Sequence, residues 1–220
     1  MLKFSLVVVA VLALTSPLNA WQVPRSGNGA LADEVQDLVD LVPLDDMVAI
    51  LLEYVAEDAE FQRLVTYLQS DEFRNLIADI EAMPEFTQIL NYIQAAGLDI
   101  YSLANKVNDF LHLKELTPPL QRVRALKITG GIRGFLDDIE ALMPRQKFID
   151  MWNEKKATST VFRDFVNFLG STPVQTIVNK VCADPHFQNI LVMAKRDHVD
   201  VAAVKRFLES MLGLTVPCTV

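Results

Sequence analysis

Slid along itself by 101 residues, the chain matches its own second half. Segment 38–113 lies over 139–214 without a gap, a register of 76 positions. Identities include Leu41/Leu142, Pro43/Pro144, Glu53/Glu154, Phe61/Phe162, Val65/Val166, Leu68/Leu169 and Ser70/Ser171. They continue through Pro84/Pro185, Phe86/Phe187, Ile89/Ile190, Leu90/Leu191, Asp99/Asp200, Leu111/Leu212 and Leu113/Leu214. A register held over that length marks a duplicated structural unit. The repeats are read as about 33–113 and 134–214, joined by a linker 114–133 that carries Thr117-Pro118-Pro119 and Gly130-Gly131.

Each copy has the period of short helices. Phe61, Leu64, Val65 and Leu68 fall at i, i+3, i+4 and i+7, as do Phe162, Phe165, Val166 and Leu169. Phe86, Ile89, Leu90 and Ile93 repeat the spacing, matched by Phe187, Ile190, Leu191 and Ala194. Such spacing gathers each set on one helical face. No comparable run alternates with period two, so the fold class is all-α, with five to six helices per copy. Pro43, Pro84, Pro144 and Pro185 suit the first helical position, where a missing N–H costs nothing. Ser70, Asp99, Thr172 and Asp200 are predicted N-caps.

Charge divides the chain. Residues 21–113 carry 4 basic and 17 acidic side chains, net −13, and residues 114–220 carry 15 and 11, net +4. Opposite halves attract, so a single helical domain over 21–220 is expected. An overall charge of −8 argues against a nucleic-acid partner.

The N-terminus reads as a signal peptide, residues 1–20: Lys3, an apolar run from Phe4 to Leu14, Pro17, then Ala20. A secreted, extracellular protein is expected. In that setting Cys182 and Cys218, the only cysteines, should form a disulfide.

Catalytic signatures are absent. There is no Gly-x-Ser-x-Gly elbow, no His-Glu-x-x-His and no phosphate-binding Gly-x-x-x-x-Gly-Lys loop. His112, His186 and His198 stand opposite Gly213, Glu85 and Gly97 of the other copy and read as surface residues. The acid pairs Asp45-Asp46, Glu57-Asp58 and Asp137-Asp138 read as solvated helix faces and helix starts. Arg122, Arg124, Lys127 and Arg133 form a loose basic group near the linker. No enzyme activity, metal or cofactor is expected.

The apolar content says more. Met47 to Leu52 is continuously apolar, with Tyr54 and Val55 close behind. Phe148, Ile149, Met151 and Trp152 occupy the matching stretch, and Tyr67, Phe168, Tyr92 and Met193 extend the stripes. Helices apolar over so much of their girth need burial on two sides. A solid core meets that need, and so does a shell whose inner wall faces a ligand.

The gapless duplication, Pro43/Pro144, the Phe61/Phe162 stripe, Pro84-Glu85-Phe86 and Pro185-His186-Phe187 together resemble the insect-allergen-related repeat family. That family includes the group-one cockroach allergens and the mosquito midgut microvillar proteins, and the likeness to the mosquito members is very close. The resemblance implies a roughly spherical shell enclosing one large hydrophobic cavity. It also implies fatty-acid and phospholipid cargo, transient membrane contact, a midgut setting and allergenicity. On it, Phe61, Leu64, Val65, Leu68, Ile89, Leu90, Ile93, Phe162, Phe165, Val166, Leu169, Ile190 and Leu191 become the candidate cavity-lining residues. A monomer is expected. The alternative is a non-enzymatic structural or interaction protein of the gut surface with a solid core.

Overall fold

The helix boundaries repeat at the offset that the sequence sets. A computed structural model describes residues 21–111 and 128–218. Repeat 1 contributes α1 (Ala30–Val39), α2 (Leu44–Glu57), α3 (Ala59–Leu68), α4 (Asp71–Glu81), α5 (Pro84–Ala95) and α6 (Ile100–Leu111). Repeat 2 contributes α7 (Gly131–Leu142), α8 (Arg145–Thr158), α9 (Thr160–Leu169), α10 (Thr172–Ala183), α11 (Pro185–Arg196) and α12 (Val201–Leu212). Four of the six pairs agree at both ends once 101 is added, and the other two agree at their starts. The fold is all-α. Among the described residues the only β pairing is one antiparallel bridge, Arg25 to Leu98. The proposed signal peptide, linker residues 114–127, His112 and the basic residues Arg122, Arg124 and Lys127 lie outside the described residues.

Local chemistry sets the helix ends. Pro84 and Pro185 open α5 and α11 in the first turn. Pro43 and Pro144 sit one residue earlier than expected, at the cap positions of α2 and α8. There their carbonyls accept the first helical bonds, from Met47 and Phe148, each at 3.0 Å, and no N–H is called upon. Ser70, Asp99 and Asp200 cap as predicted, accepting from the backbone N–H of Phe73, Ser102 and Ala203. Thr172 does not; it is the first residue of α10, and Ser171 holds the cap position without a side-chain bond. Pro173, in that first turn, has no N–H to offer. The caps Asp58, Ser159 and Asp184 went unread in the sequence.

Packing between the repeats is reciprocal. The first helix of each repeat packs chiefly across the boundary: α1 on α8 and α9, and α7 on α2 and α3. The start of α1 stays tied to its own repeat by the Leu31 N–H to Ala96 carbonyl bond of 2.9 Å. Adding 101 to one set of partners yields the other, the relation of a two-fold interface in which the same surfaces meet twice. A second reciprocal set joins α5 to α10 and α4 to α11. With the α4–α5 and α10–α11 contacts, these four helices close a ring.

Two of the four packed clusters follow this exchange. Met47, Ile50, Leu51, Tyr54 and Phe61 of repeat 1 surround Phe135, Ile139 and Met143 of repeat 2. Leu38 of α1 packs with Phe162 and Val166, flanked by Phe148, Met151 and Trp152. A third cluster gathers Val23, Leu31, Ala32, Ile93 and Leu98. The fourth holds Cys182, Leu191, Val216 and Cys218, with Cys182 and Cys218 joined by a disulfide.

Candidate functional site

The thirteen stripe residues divide into two groups. Five are buried in the packed clusters: Phe61 beside Tyr54 and Phe135, Phe162 and Val166 beside Leu38, Ile93 beside Leu31, and Leu191 beside the disulfide. The other eight, Leu64, Val65, Leu68, Ile89, Leu90, Phe165, Leu169 and Ile190, are half-buried. Leu64 and Val65 lean on the Tyr54 cluster, whereas Ile89 and Phe165 lean on that of Leu31.

Half-burial extends beyond these positions. Phe73, Ile77 and Ile80 on α4 share it, as do Val174, Ile177, Val178 and Val181 on α10. Where α9 approaches α5, Tyr92 and Phe168 stack nearly parallel, with ring centroids 3.7 Å apart. Burial pushes the Tyr92 hydroxyl up from its ordinary pKa, so it stays a neutral phenol. Among the described residues, only Tyr101, Ile149 and Val192 of the large hydrophobic side chains are exposed. The apolar side chains of these faces are therefore covered in part, an intermediate state of burial. Every element of the ring contributes to it.

The polar groups at the α1 and α7 contacts hold helices together. At the α7 contact, the Tyr54 hydroxyl donates to Asp138 at 2.7 Å and accepts from the Gly130 N–H at 3.1 Å. Burial, together with the Asp138 carboxylate, raises the Tyr54 pKa well above its ordinary value. Burial alone would raise Asp138, yet the bonds from Thr129 and Tyr54 outweigh it and hold the carboxyl below its usual range. Asp58 and Glu60 accept from the Gly131 and Ile132 N–H groups and so satisfy the start of α7. At the α1 contact, the buried Lys155 ammonium lies 2.6 Å from both Glu34 and Asp37.

Asp45, Asp46, His186 and His198 are equally plain, whereas Glu85 at the start of α5 has a buried carboxylate oxygen without a hydrogen-bond partner. Asp45 and Asp46 are exposed at the start of α2. His186 Nδ1 lies 3.3 Å from Glu72, which also accepts from Asn189. His198 adopts a left-handed turn at φ 58, where its counterpart Gly97 has φ 108. Its carbonyl accepts from Arg133, which also pairs with Asp137 at 3.4 Å. No group of three or more metal-binding side chains occurs among the described residues. No helix there is long and apolar enough to cross a membrane.

Sequence reading missed the Lys155 and Tyr54 contacts. The signal was present, because a lysine stands where the other copy has a tyrosine in an otherwise apolar column.

Two comparisons with known proteins bear on this arrangement. The family described as insect allergen related repeat, nitrile-specifier detoxification, matches residues 30–205. Protein G12 of Anopheles gambiae is 29% identical over 213 residues, spanning 96% of this chain and 99% of that protein.

Proposed function

The chain belongs to the insect allergen related repeat family, and from that premise we propose that it is a secreted carrier of fatty acids and phospholipids in the digestive lumen. The cargo lies between the two repeats, against the half-buried faces of α3, α4, α5, α9, α10 and α11. The observation that carries this reading is intermediate burial at matched positions of both repeats: Leu64/Phe165, Leu68/Leu169, Phe73/Val174, Ile77/Val178, Ile80/Val181 and Ile89/Ile190. The match is not complete, since Val166 and Leu191 are buried where Val65 and Leu90 are not. Apolar surface that remains accessible inside a fold contributes nothing to stability until something covers it. An acyl chain is the natural cover, since it brings no polar group that would need a partner.

The energetics suit exchange. Moving about fifteen methylenes out of water gains on the order of 10 kcal/mol. Taking the same chain from a membrane gains almost nothing, because both environments are apolar. Loading and delivery at a membrane then sit near balance, biased by head-group contacts. The reading gives the protein no catalytic role.

Organic extraction of the purified protein, followed by lipid mass spectrometry, tests the reading. Recovered fatty acids or phospholipids are the expected result. Stripped protein should melt lower than loaded protein and regain its midpoint when long-chain fatty acid is added, more so as the chain lengthens. The packed clusters around Tyr54 and Phe162 favour the other reading, a plain scaffold of the gut surface. Identical melting of stripped and loaded samples, with no lipid recovered from either, would decide for the scaffold.

A further inference from the structure

The two places where an exchanged first helix meets its host are built alike, with one difference. Asp37 of α1 and Asp138 of α7 are equivalent positions, and each accepts from the residue at the equivalent place on the host's second helix. That residue is Lys155 in one case and Tyr54 in the other. One turn away from the shared aspartate, the equivalent positions are Glu34 and Phe135. Glu34 gives Lys155 its second carboxylate at 2.6 Å. Phe135 sets its ring edge-on to Tyr54, at 5.1 Å, and packs against Phe61 at 4.6 Å.

We infer that residues 34, 54, 135 and 155 form a recognition code by which repeat 1 accepts repeat 2, in this chain or in a second copy, and rejects another repeat 1. The aspartate is common to both contacts and cannot discriminate. Discrimination comes from the matched sets: lysine with glutamate, tyrosine with phenylalanine. If repeat 1 paired with itself, Glu34 would fall where Phe135 lies, against Tyr54 and Phe61. Two carboxylates would then face a phenol and a phenyl ring, with no cation present, and a desolvated charge left unpaired strongly disfavours the contact. Repeat 2 on itself is rejected less. Lys155 would keep one carboxylate, from Asp138, and lose the other. Charge acts in the same direction, since residues 21–113 carry net −13 and repel their own kind. Repeat 1 therefore specifies repeat 2 as its partner, and two copies that trade halves are steered to the repeat 1 to repeat 2 sense.

The test uses the full chain and its thermal midpoint. Lys155→Tyr recreates the forbidden set of tyrosine, Glu34 and Asp37, and should lower the midpoint by about 6–10 °C. Adding Glu34→Phe completes a tyrosine–phenylalanine set and should recover at least half of the loss. A role confined to filling space would not produce that rescue. A double variant that melts at or below the sum of the two single shifts overturns the code. If Lys155→Tyr does not fold, a folded double variant is the same rescue, and an unfolded one overturns the proposal. The milder cycle of Glu34→Gln and Lys155→Met gives an independent reading: non-additive shifts are expected, and additive ones overturn it.

Discussion

Lys155 carries an unusual burden for a lysine: its side chain is only 11% exposed, and both carboxylates that hold it come from the other repeat. Burial is the largest influence on its pKa and pulls it down, yet the bonds from Asp37 and Glu34 win, and the ammonium is held above its ordinary value. Glu34 is the mirror case. Burial pushes it up, while bonds from Lys155 and Ser159 and the ammonium charge bring it below 4.5. A depressed carboxyl keeps its stabilising contribution above its unfolded pKa and loses it as acid carries the pH through the folded value. The raised lysine holds its own until the pH climbs through its folded value, above 10.5. Lys155→Met should therefore cost about 2 kcal/mol at neutral pH, less than for a fully buried pair because Asp37 is largely exposed. In thermal melts from pH 7 to pH 2, the gap between parent and variant should narrow below about pH 4. Parallel curves would exclude the ion pair as the source. The sequence located Phe61, Phe162, Cys182 and Cys218 as residues to watch, because periodicity and scarcity mark them. Lys155 was passed over: its place opposite Tyr54 marked it as odd, but no period names partners that lie on another repeat.

At the scale of the helix, period places α3, α5, α9 and α11, and the offset carries each helix start of one repeat onto the other, whereas no stripe was read for α1, α6, α7 or α12. The exchange of α1 and α7 was not legible. Two identical units look the same to a self-comparison whether each first helix stays home or crosses over, and the difference lies only in which surfaces touch. The crossing has a direct consequence for the isolated repeat. Residues 21–113 alone lack Phe135, Ile139 and Met143, leaving Tyr54 and Phe61 without their cover. Burial of three such side chains contributes about 5–9 kcal/mol, a large share of the stability of an ordinary domain. That fragment should show no cooperative transition in urea and should bind a hydrophobic dye. A monomer that unfolds in one sharp step would show that α7 is dispensable to repeat 1.

For the molecule as a whole, the disulfide closes a loop of 36 residues around α11 and α12. By chain entropy such a loop contributes about 3–4 kcal/mol. Cys218→Ser should lower the melting midpoint by about 10 °C, and reductant should then have no further effect. An unchanged midpoint would mean that the tail is held by Leu214, Val216 and the Gln175–Thr215 bonds alone. Which apolar faces pack protein and which stay open was only half readable. Phe61 and Leu64 share one stripe, yet one is sealed by Phe135 and the other is not, because the sealing residue comes from a helix 70 positions away. The same crossing of helices makes the peptide bond between the halves mechanically redundant. A single nick between the repeats by a protease would leave two fragments gripping each other like clasped hands, each holding a finger of the other. Cleaved protein should run as two bands on a denaturing gel and as one particle on a sizing column, so that digestion of the chain and loss of the molecule become separate events.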